Sequence, residues 1–158
     1  MPNTYSQIYI QVVFTVRGRQ CLIQKPHRER LHKYITGIVQ ERDHKMLAVF
    51  CMPDHVHFLA GIKPRMAISD LVRDVKTATS SLINAEQLSP TRFSWQEGFG
   101  AFSYSRDQID TVVRYILNQE EHHRTKSFRE EYLNLLEEFE IPFEEKYLFD
   151  WVLDEPIR

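Results

Sequence analysis

The sequence predicts an α+β fold: an antiparallel sheet in ferredoxin-like order, two helices packed on one of its faces, and further helices following it. Three observations predict it. Strand-like and helix-like periodicities succeed one another as β-α-β-β-α-β-α-α. The two middle strands are separated only by Pro53-Asp54, a tight-turn pair that makes them a hairpin. The chain has 158 residues, 42% of them hydrophobic and 27% charged, with no repeat, linker or low-complexity stretch. That suits a single domain over 1–158, with a core at about 5–123 and a C-terminal helix and tail at about 124–158.

Each element follows from its residues. QIYIQVVFTV (7–16) places β-branched and aromatic residues in near alternation, the mark of a strand, and Arg17-Gly18-Arg19 ends it. Lys25-Pro26 opens a helix to about Arg42, with Leu31, Tyr34, Ile35 and Ile38 at helical spacing. Residues 45–52 are continuously apolar and read as a central strand, and HVHFLAGI (55–62) as its hairpin partner. Ser69, or a residue just before it, caps a helix with apolar positions Ile68, Leu71, Val72, Val75, Leu82 and Ile83. Pro90, Gly98 and Gly100 make 88–100 a loop, and 101–105 a short strand. A third helix runs from Asp107 to about His123, capped at Ser105 or Asp107. A last one covers about Ser127–Phe139, and Pro142 stops it.

Composition excludes several classes. Ten Phe, seven Tyr and two Trp supply core material without disulfides. Cys21 and Cys51 lie in apolar stretches without CxxC partners, which predicts two buried thiols in a reducing, cytoplasmic setting. The first residues lack a basic start followed by an apolar run, and no run approaches membrane-spanning length, so no membrane association is expected. Net charge is −2, unlike most nucleic-acid binders. Its distribution is uneven, however. Residues 17–33 and 63–76 are rich in Arg and Lys, whereas the tail from Glu130 to Glu155 is acidic. A local basic face can bind phosphates despite a near-neutral total.

Two short motifs carry chemistry. In Asp54-His55-Val56-His57-Phe58, strand alternation puts His55 and His57 on one face and Val56 and Phe58 on the other. Two imidazoles one pleat apart suit one divalent metal, although the same pattern fits two polar residues on an exposed strand face. In the third helix, Ile109, Val112, Val113, Ile116 and Leu117 form an apolar stripe. Tyr115 and Gln119 sit together on its flank, one turn apart, with His122 a further turn on. A tyrosine there is also compatible with a half-buried packing role.

Together with MPNTYSQIYIQVVFTVRGRQ, CMPDHVHFL, ISDLVRDVK, FSWQEGFGAFSYS and VVRYILNQEEHHRTKSFREEYL, these motifs resemble the IS200/IS605 single-tyrosine transposases of the HUH endonuclease superfamily. The resemblance covers about residues 3–151. It implies a single transposase domain whose C-terminal helices carry the nucleophile. Tyr115 takes the nucleophile's position, and His55, His57 and Gln119 take those of three metal ligands. It further implies a homodimer acting on single-stranded DNA, with hairpin-forming element ends as substrate. In such dimers the tyrosine-bearing helix can complete the partner's site. Imidazole and amide donors suit Mn²⁺ or Mg²⁺ on a phosphate-rich substrate, with Zn²⁺ also compatible. The activity implied is cleavage and rejoining of DNA through a 5′-phosphotyrosine. The alternative is a non-catalytic or domesticated nucleic-acid-binding protein on the same fold.

Around this centre, Asp54 either orients His55 or serves as a turn residue. His122 and His123 either contact phosphate or metal or close the helix end. Arg17, Arg19, Arg73 and Lys76 are the expected phosphate contacts, Arg73 and Lys76 sharing a helix face. Trp95, Phe99, Phe102 and Tyr104 are candidates for stacking bases, with at least half expected in the core instead. The charges at 137–145 read as a solvated acidic face.

Overall fold

The computed structural model describes residues 3–148. Its elements are β1 (Tyr9–Thr15), α1 (Arg28–Glu41), β2 (Lys45–Cys51), β3 (His55–Gly61), α2 (Ile68–Ala85), β4 (Gly100–Tyr104), α3 (Ile109–Leu117), α4 (Gln119–His122) and α5 (Phe128–Glu138). The four strands form one sheet in the order β2-β3-β1-β4, with every neighbouring pair antiparallel. This is the expected ferredoxin-like plan. One placement differs: β2 lies at the sheet edge, not in its centre. Its continuous apolar character comes from cover on both faces, by α1 and α3.

Register explains the rest. Val12 pairs with Phe58 and Phe14 with Val56, so these side chains share one face with Ile10 and Ala60. That face packs against Leu31, Ile35 and Val39 of α1 and Leu71, Val72 and Val75 of α2 in the main hydrophobic core. On the opposite face, Val13 pairs with His57 and Thr15 with His55. There Ala48 and Leu59 meet Ile109, Val112 and Ile116 of α3. Val13 and Phe102 meet Phe128, Tyr132, Leu135 and Leu136 of α5. A Cβ on Gly100 would come within 2.6 Å of the Tyr132 hydroxyl, so this glycine lets α5 approach the sheet.

Helix boundaries follow local chemistry. Ser105 and Gln108 form a capping box on the turn that leads into α3. Ser127 caps α5 by accepting the Glu130 N–H at 3.2 Å. Ala67 takes the cap of α2 without a side-chain bond, and Ser69 lies inside the helix. The single helix expected from Asp107 to His123 is broken at Asn118 (φ −105°, ψ 25°), which leaves α4 as a separate turn. Cys51 is buried as expected, but Cys21 is exposed. No helix among the described residues is long and apolar enough to cross a membrane.

Candidate active site

The centre lies between β3 and the helices that follow β4. Strand alternation turns His55 and His57 away from the α1/α2 core, and both are fully buried. Each ring is anchored from behind through Nδ1. His55 Nδ1 bonds Asp54 Oδ1 at 2.7 Å, and His57 Nδ1 bonds Gln11 Oε1 at 2.8 Å. Gln11 in turn donates to the Tyr104 hydroxyl at 2.7 Å, which leaves its carbonyl oxygen for the imidazole. Both Nε2 atoms therefore point into the space under α4 and α5.

Gln119 presents its Oε1 there, 3.5 Å from His55 Nε2 and 3.1 Å from His123 Nε2. Glu131 of α5 enters from the other side. Its Oε1 lies 2.9 Å from His57 Nε2, 3.4 Å from His123 Nε2 and 4.0 Å from His55 Nε2. Its other oxygen accepts the hydrogen bond of the Tyr115 hydroxyl. Phe128 stacks on the His55 ring at 4.1 Å and closes the pocket. Gln119, His123 and Glu131 are buried together with the two strand histidines.

A divalent ion is the group this pocket fits. Ligand atoms around one ion, at bond lengths of roughly 2.0–2.3 Å, stand roughly 3–4 Å apart. His55, His57 and Glu131 each offer one atom within 4.8 Å of the others, and the further separations above fall in the same range. Imidazole, amide and carboxylate donors all accept a hard or borderline cation.

Electrostatics sharpen the picture. Burial alone would raise the Glu131 carboxyl, but His57, with His123 and His55, holds it well below the usual carboxylate range. Burial, then the adjacent Glu131 carboxylate, push the Tyr115 phenol up, so it stays protonated until a cation offsets that charge. Burial lowers His55 and favours the neutral ring, against the opposing pull of Asp54. Burial works to raise Asp54 also, yet His55 and Arg19 hold it low.

The expected residues are placed as follows. His55, His57, Tyr115 and Gln119 converge within one chain. Asp54 orients His55, rather than acting as a turn residue alone. His122 packs against the Tyr115 ring at 4.6 Å, and its neighbour His123 faces the donors instead. Arg19, expected on the DNA face, is buried and pairs with Asp54 at 3.0 Å. Lys76 donates to the Gln96 and Gly98 carbonyls at 2.8 and 2.7 Å and so holds the loop before β4. Arg73 remains exposed, though paired with Asp70 and Asp74. Arg17 is exposed. Arg73 and Lys76 line a groove of about 760 Å³ with Ser80, Arg92 and Phe99. Trp95 and Phe102 are buried, as expected for half of the aromatic set.

Glu131 was hidden in a charged run. One signal marks it: it lies three residues after Phe128 and four before Leu135, on the apolar stripe of α5.

The fold and this cluster place two histidines, a glutamine and a tyrosine together in one pocket of a ferredoxin-like domain. Residues 4–119 match the family model described as IS200-like transposase, and the chain belongs to that family. Among solved structures, it is similar to a protein of Deinococcus radiodurans provisionally named a transposase. The two share 20% identity over 74% of this chain and 94% of that one, with a TM-score of 0.58. It is also similar to a REP-associated tyrosine transposase bound to a REP hairpin. There the identity is 17% over 77% of this chain and 72% of that one, with a TM-score of 0.57. At such identities these likenesses concern the fold. No curated protein matches the chain.

Proposed function

We propose that this chain is a metal-dependent single-tyrosine transposase that cuts and rejoins single-stranded DNA, with Tyr115 as nucleophile. The observation that carries this is the convergence of Tyr115 and Gln119 on His55 and His57 in one buried pocket. An inert nucleic-acid-binding module needs no such cluster, and burying it without a ligand is costly.

The Tyr115 phenolic oxygen attacks the scissile phosphorus. A tyrosine–phosphate bond forms as the bond to the 3′ oxygen breaks. The proton lost by the phenol balances the one gained by the departing 3′ hydroxyl. The ester energy stays in the 5′-phosphotyrosine, so another 3′ hydroxyl can attack it, rejoin DNA and release Tyr115 without ATP. His55, His57 and Gln119 would hold Mn²⁺ or Mg²⁺, which supplies charge stabilisation at the phosphate. Asp54 and Gln11 fix the rings in the tautomer that leaves Nε2 free. The groove along α2 and exposed Arg17 are the proposed route for the DNA backbone. The family likeness supports hairpin-forming substrate ends, a homodimer and a cytoplasmic setting. Gln119 meets its own chain's histidines, which favours a site completed within one subunit.

The test uses a hairpin-bearing single strand, labelled at either end, incubated with the full chain and Mn²⁺. A protein-linked band that retains the 3′-labelled fragment, absent with EDTA, is expected. Cleavage to free fragments with no protein-linked band would contradict the proposal.

A further inference from the structure

We propose that Glu131 and His123 are metal ligands, so that the ion is held by five protein donors and α5 supplies a carboxylate to it. This rests on the metal-dependent reading above and extends it to a helix outside the matched family region, which ends at Gln119.

Proton bookkeeping around the pocket carries the inference. Each of the three histidines spends its Nδ1–H on an acceptor outside the pocket. These are Asp54 Oδ1 at 2.7 Å, Gln11 Oε1 at 2.8 Å and, for His123, the Lys126 carbonyl at 3.0 Å. A neutral imidazole donating through Nδ1 has only a lone pair at Nε2. The three Nε2 atoms converge on one space, each presenting a lone pair when its ring is neutral. Gln119 Oε1 and Glu131 Oε1, the other two atoms in the ring, are acceptors as well. The five lie 2.9–4.0 Å apart along the contacts that join them.

With the rings neutral, five buried lone-pair donors converge on one space, and a cation standing between them satisfies all five at once. The single carboxylate makes the pocket complementary to positive charge. Five donors also leave one position on a six-coordinate ion for a phosphate oxygen. Because the other Glu131 oxygen receives the Tyr115 hydroxyl, the same side chain would tie the nucleophile to the ion. Three imidazoles among the donors favour Mn²⁺ over Mg²⁺.

The experiment titrates MnCl₂ alone into the full chain by calorimetry, for wild type, His57→Ala, Glu131→Gln and His123→Asn, with circular dichroism to confirm folding. One site is expected in wild type, with affinity at least ten-fold weaker in Glu131→Gln and in His123→Asn. Weakened binding in His57→Ala, with wild-type affinity in the other two, overturns this inference and leaves the transposase reading standing. Absence of Mn²⁺ binding to wild type overturns both. Tighter binding by Glu131→Gln makes Glu131 a competitor for the pocket and also overturns it. Pulsed EPR of Mn²⁺-loaded wild type needs no variant: three coordinated imidazole nitrogens support the assignment, and two refute it for His123.

Discussion

Strand β3 presents two opposite environments from consecutive residues. Val56, Phe58 and Ala60 are buried against α1 and α2 in the main hydrophobic core. His55 and His57, one residue away in each case, are buried just as deeply among Gln11, Gln119, His123 and Glu131. The first face holds the sheet together through area removed from water. The second removes polar groups from water, which opposes folding unless each finds a partner. A fold that tolerates such a cluster on the far side of its core points to chemistry there.

The two faces should fail differently. His57→Ala is expected to reduce DNA cleavage to background while Tyr115 remains in place, because the imidazole is a proposed metal donor. Phe58→Ala should instead cost about 3–5 kcal/mol of stability and lower the melting temperature by on the order of 10 °C. Cleavage per folded molecule should persist in that variant. Melting curves paired with gel assays check both, and a Phe58→Ala protein that is stable but inactive would blur the distinction.

A smaller effect concerns the surface. Arg73→Ala should weaken binding to single-stranded DNA several-fold across sequences and reduce the salt slope by about one. Unchanged affinity and slope would move the DNA route away from the α2 groove. A pH-dependent effect lies behind the apolar face. His32 Nε2 accepts the Cys51 N–H at 2.9 Å, and burial, with help from Arg28, lowers its pKa to about 4. Because the folded pKa lies below the unfolded value near 6.5, its contribution is present above pH 6.5 and is lost as pH falls toward 4. Thermal melts across that interval should show a decline that is shallower in His32→Gln.

The apolar face was readable in advance, because alternation in 7–16 and 55–62 and the helical stripe of 68–83 each follow directly from residue type. HxH and Tyr-x-x-x-Gln were readable as motifs. The remaining parts depend on tertiary placement. Glu131 sits in the run Arg129-Glu130-Glu131, where composition suggests solvent, and only its position relative to Phe128 and Leu135 turns it inward. His123 rather than His122 faces the donors, one turn beyond Gln119 after the break at Asn118. Arg19 lies in a basic stretch, yet the left-handed turn at Gly18 (φ 65°) and Arg19 (φ 54°) precedes its burial against Asp54. β2 reads as central because helices cover both its faces, which a sequence pattern does not separate from pairing on both edges.

The most direct measurement of the central claim is the covalent adduct formed by Tyr115→Phe. The change removes only the hydroxyl and keeps the ring packed beside His122 and His57. With labelled hairpin-bearing single-stranded DNA and Mn²⁺, the variant should bind DNA and Mn²⁺ as wild type does. It should give no protein-linked band and no cleavage. A protein-linked band or wild-type cleavage from Tyr115→Phe would contradict the single-tyrosine mechanism.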